Sequence, residues 1–311
     1  MPYTIFDGHC DTIQKICDSN QNLAQNQLHL SIEDMQKNQH IQVFAAFIDK
    51  KTDKLLPFNR CNQLINCYFS ELNNYPEKVT HCISIQDIFN AINSKKIAAL
   101  LSIEGGEALN GKLENLKYFF ERGVRFITLT WNYDNEISGS IAETNTKGLT
   151  SFGKEVIKNM NNLGMVIDVS HISEQGFWDV MESTNKPVSA THSNAFSLKN
   201  HKRNLNDSQI KAIIRNNGCI GINLYSEFLS DGKCSLTDVI RHIEYILALG
   251  GENNIGFGTD FDGMDSMPSE ITGIKDMEKI PNELVKLGYS NELVEKITYK
   301  NFLRLLDTVF Q

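Results

Sequence analysis

Residues 165–193, MVIDVSHISEQGFWDVMESTNKPVSATHS, spell out one complete structural unit. A short apolar run rich in β-branched residues (165–171) leads into polar–apolar spacing of helical period over 173–183, and a second apolar run follows at 187–193. Near-continuous apolarity, rather than strict alternation, marks strands covered on both faces, as in a parallel sheet. Each run also closes on a histidine, His171 and His192.

The same rhythm extends in both directions. Before the unit lie TIFDGH (4–9), IQVFAAFI (41–48), KIAALLSIEG (96–105) and VRFITLTW (124–131); after it come GCIGINLY (218–225) and NIGFGTDFDG (254–263). Helical segments with recognisable ends separate them. SIEDMQKN opens at Ser31 with Asp34 three residues on, LENLKYFFERG stops at Gly123, and NDSQIKAIIRNNG runs from Asn206, with Gln209 in the capping position, to Gly218. Helical spacing also fills 58–74, 86–94, 150–163, 235–249 and 273–309. Eight strands alternating with helices predict an α/β fold, a (β/α)8 TIM barrel of the metal-dependent hydrolase type, with residues 1–311 as a single catalytic domain. A doubly wound open sheet is the runner-up, but no GxGxxG follows the first strand.

Bulk properties narrow the partners. With a net charge of -8 and no clustered Lys and Arg, the chain is not expected to bind nucleic acid. Its seven cysteines are odd in number, scattered and free of any CxxC, so neither a disulfide framework nor a zinc ribbon is expected, and free thiols fit a reducing cytosol. No basic and apolar leader opens the chain and no stretch of ~18 apolar residues occurs, which predicts a soluble cytoplasmic protein without a membrane partner.

Barrel active sites form at the C-terminal ends of the strands, so polar residues there are the informative ones. The first run ends in His9 and Asp11, the third in Glu104, the fifth in His171, the sixth in His192 and the eighth in Asp260. The other five histidines (His29, His40, His81, His201, His242) fall in loops or helices. Taken singly, each has an ordinary explanation: a hydrogen-bonded histidine, a solvated glutamate, or a turn shaped by Asp260 or Asp262. Together they would bury like charges at one rim unless a cation neutralised them.

Three imidazoles and two carboxylates without a thiolate suit Zn²⁺, with Mn²⁺ or Co²⁺ as substitutes. Five protein ligands exceed what one open catalytic zinc takes, whereas two ions ~3.5–4 Å apart, bridged by a carboxylate and a hydroxide, would use them all. Glu104 is the natural bridge. His9 and Asp11 would hold one ion, both reaching it from the same side of a strand by two-residue alternation. His171 and His192 would hold the other. The fourth run ends LTWN, without the lysine that bridges the metals in many binuclear barrel hydrolases.

DGHCDT, SIEGGEAL, VIDVSH, THSNAFSLKNHKRNLNDSQI, GFGTDFDG and KNFLRLL occur in order from residue 7 to residue 306. In this the chain resembles the membrane (renal) dipeptidase family of binuclear zinc peptidases, as a soluble member of bacterial type. The resemblance implies a zinc-dependent dipeptidase in which His9, Asp11, Glu104, His171 and His192 match the metal ligands. Arg203 matches the arginine that holds the substrate's C-terminal carboxylate, a role suited to a guanidinium fork. Asp260 matches the carboxylate that contacts the substrate amine and moves the proton. A hydroxide bridging two Zn²⁺ would attack the peptide carbonyl, with Asp260 as base and then acid.

Reading both termini would limit substrates to two residues, since a longer peptide leaves a buried charge unpaired. The family includes members that favour a D-residue in second position, and its members are often homodimers. Lys300 stands where the family's closing segment has glycine, and Trp131, followed by Asn132, stands where the animal enzymes carry a histidine that polarises the scissile carbonyl. Tyr225 and Phe228 are expected to shape the side-chain pocket. Two rival readings are a binuclear amidohydrolase acting on another amide, lactam or ester, and a metal-loaded binding module without catalysis.

Overall fold

The computed structural model describes residues 3–19, 21–144 and 147–311. Nine strands, all parallel, form one sheet: β1 (Thr4–Cys10), β2 (Gln39–Phe47), β3 (Val79–His81), β4 (Ile97–Glu104), β5 (Val124–Thr128), β6 (Val166–Asp168), β7 (Ser189–Ala190), β8 (Cys219–Ile222) and β9 (Ile255–Phe257). Eight of them close into a barrel through the pairing of β2 with β4, Ile41–Phe47 against Ala98–Glu104. Helices occupy the connections, as the alternating pattern predicts.

The expectation of eight strands needs one correction. β3 is a ninth, three residues long, and it pairs with Ile97–Ala99 on the edge of β4 that β5 takes over from Leu101 onward. So short a segment carries no periodic signal. The strands of the second half are also shorter than their apolar runs: the 187–193 run contributes two ladder residues and the 254–263 run three. Their remaining residues leave the ladder and turn across the mouth of the barrel, where the polar side chains lie.

Most helices begin where the sequence places their caps. Ser31 accepts from the Asp34 N–H at 3.2 Å, and Asn206 and Gln209 exchange side-chain-to-backbone bonds at 3.0 and 2.9 Å. The pattern over 273–309 is not one helix. It breaks into Lys279–Lys286, Asn291–Glu295, a π-turn over Lys296–Lys300 and Asn301–Val309. The first break falls at Gly288 (φ +90°), a left-handed turn that glycine adopts without strain. Two short helices, Thr12–Cys17 and Ser226–Leu229, carry too few turns to be read from periodicity.

The last helix locks the barrel. Phe302 stacks on Phe6 with ring centroids 4.7 Å apart. Its ring takes the space that a Cβ would need at Gly8 (2.8 Å) or Gly256 (2.5 Å), so two glycines of the DGH and GFG strings serve packing. Among the described residues no helix is long and apolar enough to cross a membrane, and all seven cysteines are free thiols.

His40, on β2, is fully buried, and neither ring nitrogen has a hydrogen-bond partner among the described residues. Burial therefore pulls its pKa down to about 3. Below its unfolded value of ~6.5 the unfolded chain binds a proton that the folded chain refuses, so stability is lost as pH falls, at up to ~1.4 kcal/mol per unit. His40→Leu should flatten this slope between pH 6.5 and 4, read as the difference in unfolding midpoint between variant and wild type.

Candidate metal centre

β1 delivers the first pair of side chains through an irregularity. Its register on β2 shifts between Asp7, opposite Gln42, and Cys10, opposite Phe44, so three steps on β1 meet two on β2. Asp11 lies beyond the strand and opens the helix at Thr12, its N–H bonded to the Phe261 carbonyl at 2.8 Å. Simple two-residue alternation is thus not what aligns His9 with Asp11. The bulge and the turn bring His9 Nε2 within 3.8 Å of Asp11 Oδ2.

Glu104, the last residue of β4, stands at the centre. Its Oε2 lies 3.2 Å from His9 Nε2, and its Oε1 lies 3.2 Å from His171 Nε2 and 3.5 Å from His192 Nε2. One carboxylate oxygen thus faces the β1 pair and the other faces the two imidazoles. Burial alone would raise the Glu104 carboxyl, but the charge of His9 holds it well below the usual range. Burial opposes protonation of His9, and Glu104 overrides it, so the His9 pKa rises.

His171 and His192 are neutral for a different reason. Burial pulls His171 down to about 4 and His192 well below its usual value, each assisted by a neighbouring cation, Arg203 for the first and His9 for the second. The outer nitrogen of each ring is occupied: His171 Nδ1 meets Asn132 Oδ1 at 3.0 Å, and His192 Nδ1 meets Thr191 Oγ1 at 2.9 Å. Their Nε2 atoms face each other at 3.0 Å. Both also face Glu104 Oε1.

Backbone geometry marks the same residues. His171 (φ +66°) and Asp260 (φ +63°) both adopt the left-handed region, unusual without glycine and concentrated at functional sites. The Asp260 N–H donates to the His9 carbonyl at 3.1 Å, and Asn223 Nδ2 donates to Asp260 Oδ2 at 2.9 Å. Burial, then the negative Asp11, pushes the Asp260 carboxyl up to about 7. Gly263 makes room, since a Cβ there would lie 2.1 Å from Asp11 Oδ2 and 2.5 Å from Asp260 Oδ1.

Arg203 is 6% exposed and sits in the loop after β7. The loop is pinned at both ends: Phe196 N–H to Leu205 O, Leu205 N–H to Asn194 O, and Asn194 to Asn223 by reciprocal bonds at 2.9 and 3.1 Å. Arg203 Nη2 donates to the His192 carbonyl at 3.1 Å, while Nε has no partner among the described residues. The guanidinium lies 5.6 Å from the Phe228 ring centre. Burial lowers its pKa and Asp260 opposes that fall.

All seven expected side chains therefore meet at one mouth. Asp11, Glu104, His171, Arg203 and Asp260 line a cavity of about 680 Å³, together with Trp131, Tyr225 and Phe228. Trp131 packs edge-on against Phe47 with ring centroids 4.7 Å apart, and the Asn132 amide oxygen lies 3.0 Å from His171 Nδ1. Asp262 (φ +70°) shapes its turn, exchanging bonds with His29 at 2.9 and 3.0 Å. His242 ties Ala195 N–H to the Leu229 carbonyl, a structural bridge. Asn223 and Thr191 escaped sequence reasoning, because neutral polar residues in loops carry no pattern of their own.

The donor set suits a divalent cation. The ligating atoms of His9, Glu104 and His192 lie within 4.8 Å of one another, as do those of His9, Asp11 and Asp260, and buried His9 Nε2 and Asp11 Oδ1 lack hydrogen-bond partners. A parallel barrel bearing such a cluster at the C-terminal ends of its strands is the framework of a metal-dependent hydrolase.

The chain belongs to the membrane dipeptidase family (peptidase family M19), whose model matches residues 2–311, and it is a peptide-bond hydrolase of the metallopeptidase class. It is 36% identical over 241 residues to an uncharacterized protein in the pqqA 5′ region of Klebsiella pneumoniae, covering 74% of this chain and 89% of the other. An uncharacterized dipeptidase of Schizosaccharomyces pombe is 33% identical over 227 residues, 68% of this chain and 53% of the yeast protein. In fold it is similar to a metallopeptidase from Rhodobacter sphaeroides liganded with a phosphinate mimic of the dipeptide L-Ala-D-Ala (TM-score 0.91, 21% identity, 99% of this chain and 100% of that one).

A cation bound here and absent from the unfolded chain must stabilise the fold, by ~2.7 kcal/mol at a hundred times its Kd. Adding Zn²⁺ or Mn²⁺ to chelator-stripped protein should raise the melting temperature by several degrees, EDTA should reverse the rise, and Glu104→Ala should abolish it.

Proposed function

We propose that the chain is a zinc dipeptidase holding two ions, with residues 1–311 acting as one catalytic unit. His9 and Asp11 would share one ion with Glu104 Oε2, and His171 and His192 the other with Glu104 Oε1. When bound, the ions supply a Lewis acid for the scissile carbonyl and lower the pKa of water toward ~7. The observation that carries this reading is a buried guanidinium, Arg203, in the same cavity as Glu104 and Asp260.

Arg203 receives the substrate's C-terminal carboxylate on a fork whose Nε is otherwise unpartnered. Asp260, with its carboxyl near pKa 7 and oriented by Asn223, takes a proton from the attacking water and returns it to the leaving amine. The free N-terminal ammonium finds the same carboxylate. A third substrate residue would place a neutral peptide group against one of these charges, which limits the length to two.

L,D-dipeptides fall within the proposed range. The Rhodobacter protein of like fold is liganded with a mimic of one, and Trp131, Tyr225 and Phe228 supply aromatic lining for a side chain in a cavity of about 680 Å³.

The decisive assay is hydrolysis of L,L- and L,D-dipeptides by zinc-loaded protein. Arg203→Ala should lower kcat/KM for dipeptides by ~30- to 4,000-fold, the ~2–5 kcal/mol of a buried charge left unpaired, with Arg203→Lys recovering only part. If Arg203→Ala retained full dipeptidase activity, or if only lactams and esters were cleaved, the reading would be wrong.

A further inference from the structure

His192 Nε2 faces Glu104 and His171, but an imidazole ligates through a nitrogen only when its proton is on the other one. The tautomer must therefore be set from outside the centre, and two residues the proposed chemistry does not use are placed to set it.

Asp168, the last residue of β6, is fully buried and has no basic side chain in contact. Four donors surround its carboxylate: Thr128 Oγ1 at 2.6 Å and Thr191 Oγ1 at 2.5 Å on Oδ2, Ser170 N–H at 3.0 Å and Thr191 N–H at 2.9 Å on Oδ1. A carboxylate so surrounded is an acceptor only. Thr191 has one hydroxyl hydrogen, and the short bond commits it to Asp168. Toward His192 Nδ1, 2.9 Å away, the hydroxyl oxygen can then only accept. Nδ1 must carry the ring proton and Nε2 the bare lone pair.

We propose that Asp168 and Thr191 are a positioning pair that holds His192 in its Nε2-ligating tautomer. The inference rests on the metal reading above for its purpose, and on the hydrogen-bond chain for its direction.

The other side of the barrel repeats the bracket without the relay. Asp7 accepts Thr259 N–H at 2.8 Å, Thr259 Oγ1 at 2.7 Å and the N–H of its own second neighbour, His9, at 3.3 Å. There the threonine precedes Asp260, a residue with no tautomer to choose, and the bracket serves the backbone alone. A buried Asp–Thr pair thus joins β6 to β7 and β1 to β9, but only the first has a hydroxyl in reach of an imidazole.

The test has two arms. Nitrogen NMR of the metal-free wild type should find His192 protonated at Nδ1; protonation at Nε2 overturns the proposal whatever the variants do. Thr191→Val removes the acceptor at nearly constant volume, and its Zn²⁺ affinity should fall ~10- to 100-fold with an altered visible spectrum of the Co²⁺-loaded protein. Thr191→Ser, which keeps the hydroxyl, should restore both. Wild-type affinity and spectrum in Thr191→Val overturn the pair's role, and should that variant not fold, Asp168→Asn is read the same way. Failure of the wild type itself to bind Zn²⁺ would instead overturn the metal reading and leave the tautomer result standing.

Discussion

Charge concentration around Glu104 is the constraint on which the rest of the molecule depends. Glu104 and Asp11, both buried, and the partly buried Asp260 are gathered with three buried imidazoles at one mouth. Such a cluster is tolerable only if something positive belongs there, because a buried carboxylate without compensation is severely penalised. Without an ion, the charge is shared between His9 and Glu104, the one held protonated by the other. The proposed cations would replace that makeshift pairing.

The barrel makes the gathering possible. Closure of β2 on β4 turns the end of β4 toward β1, so that Glu104 meets His9 from a strand 95 residues away in sequence. Around this frame, local devices aim single side chains: a bulge in β1, left-handed residues at His171 and Asp260, and a glycine at 263 that leaves room for two carboxylates. Each concedes some local stability, and packing elsewhere, such as Phe302 against β1 and β9, sustains them.

Much of this was legible in the chain itself. Apolar runs ending in His or acidic residues marked both the barrel and its mouth, because strand and helix periods and the C-terminal placement of barrel sites are local, repeated signals. Legibility failed where the signal was short or singular. β3 has three residues, the final helical pattern conceals a break at Gly288, and the expected alternation of His9 and Asp11 hid a bulge. The place of Asn132 after Trp131 did not reveal that its amide oxygen meets His171.

The sequence by itself determined the fold class, the identity of the seven polar residues at the mouth and the family, since these follow from residue types at ordered positions. The tertiary structure alone decided which oxygen of Glu104 faces which imidazole, how Asp260 is held, and what stands behind His192. Those depend on distances between strands remote in the chain, and a one-dimensional pattern carries spacing along the backbone but not across it.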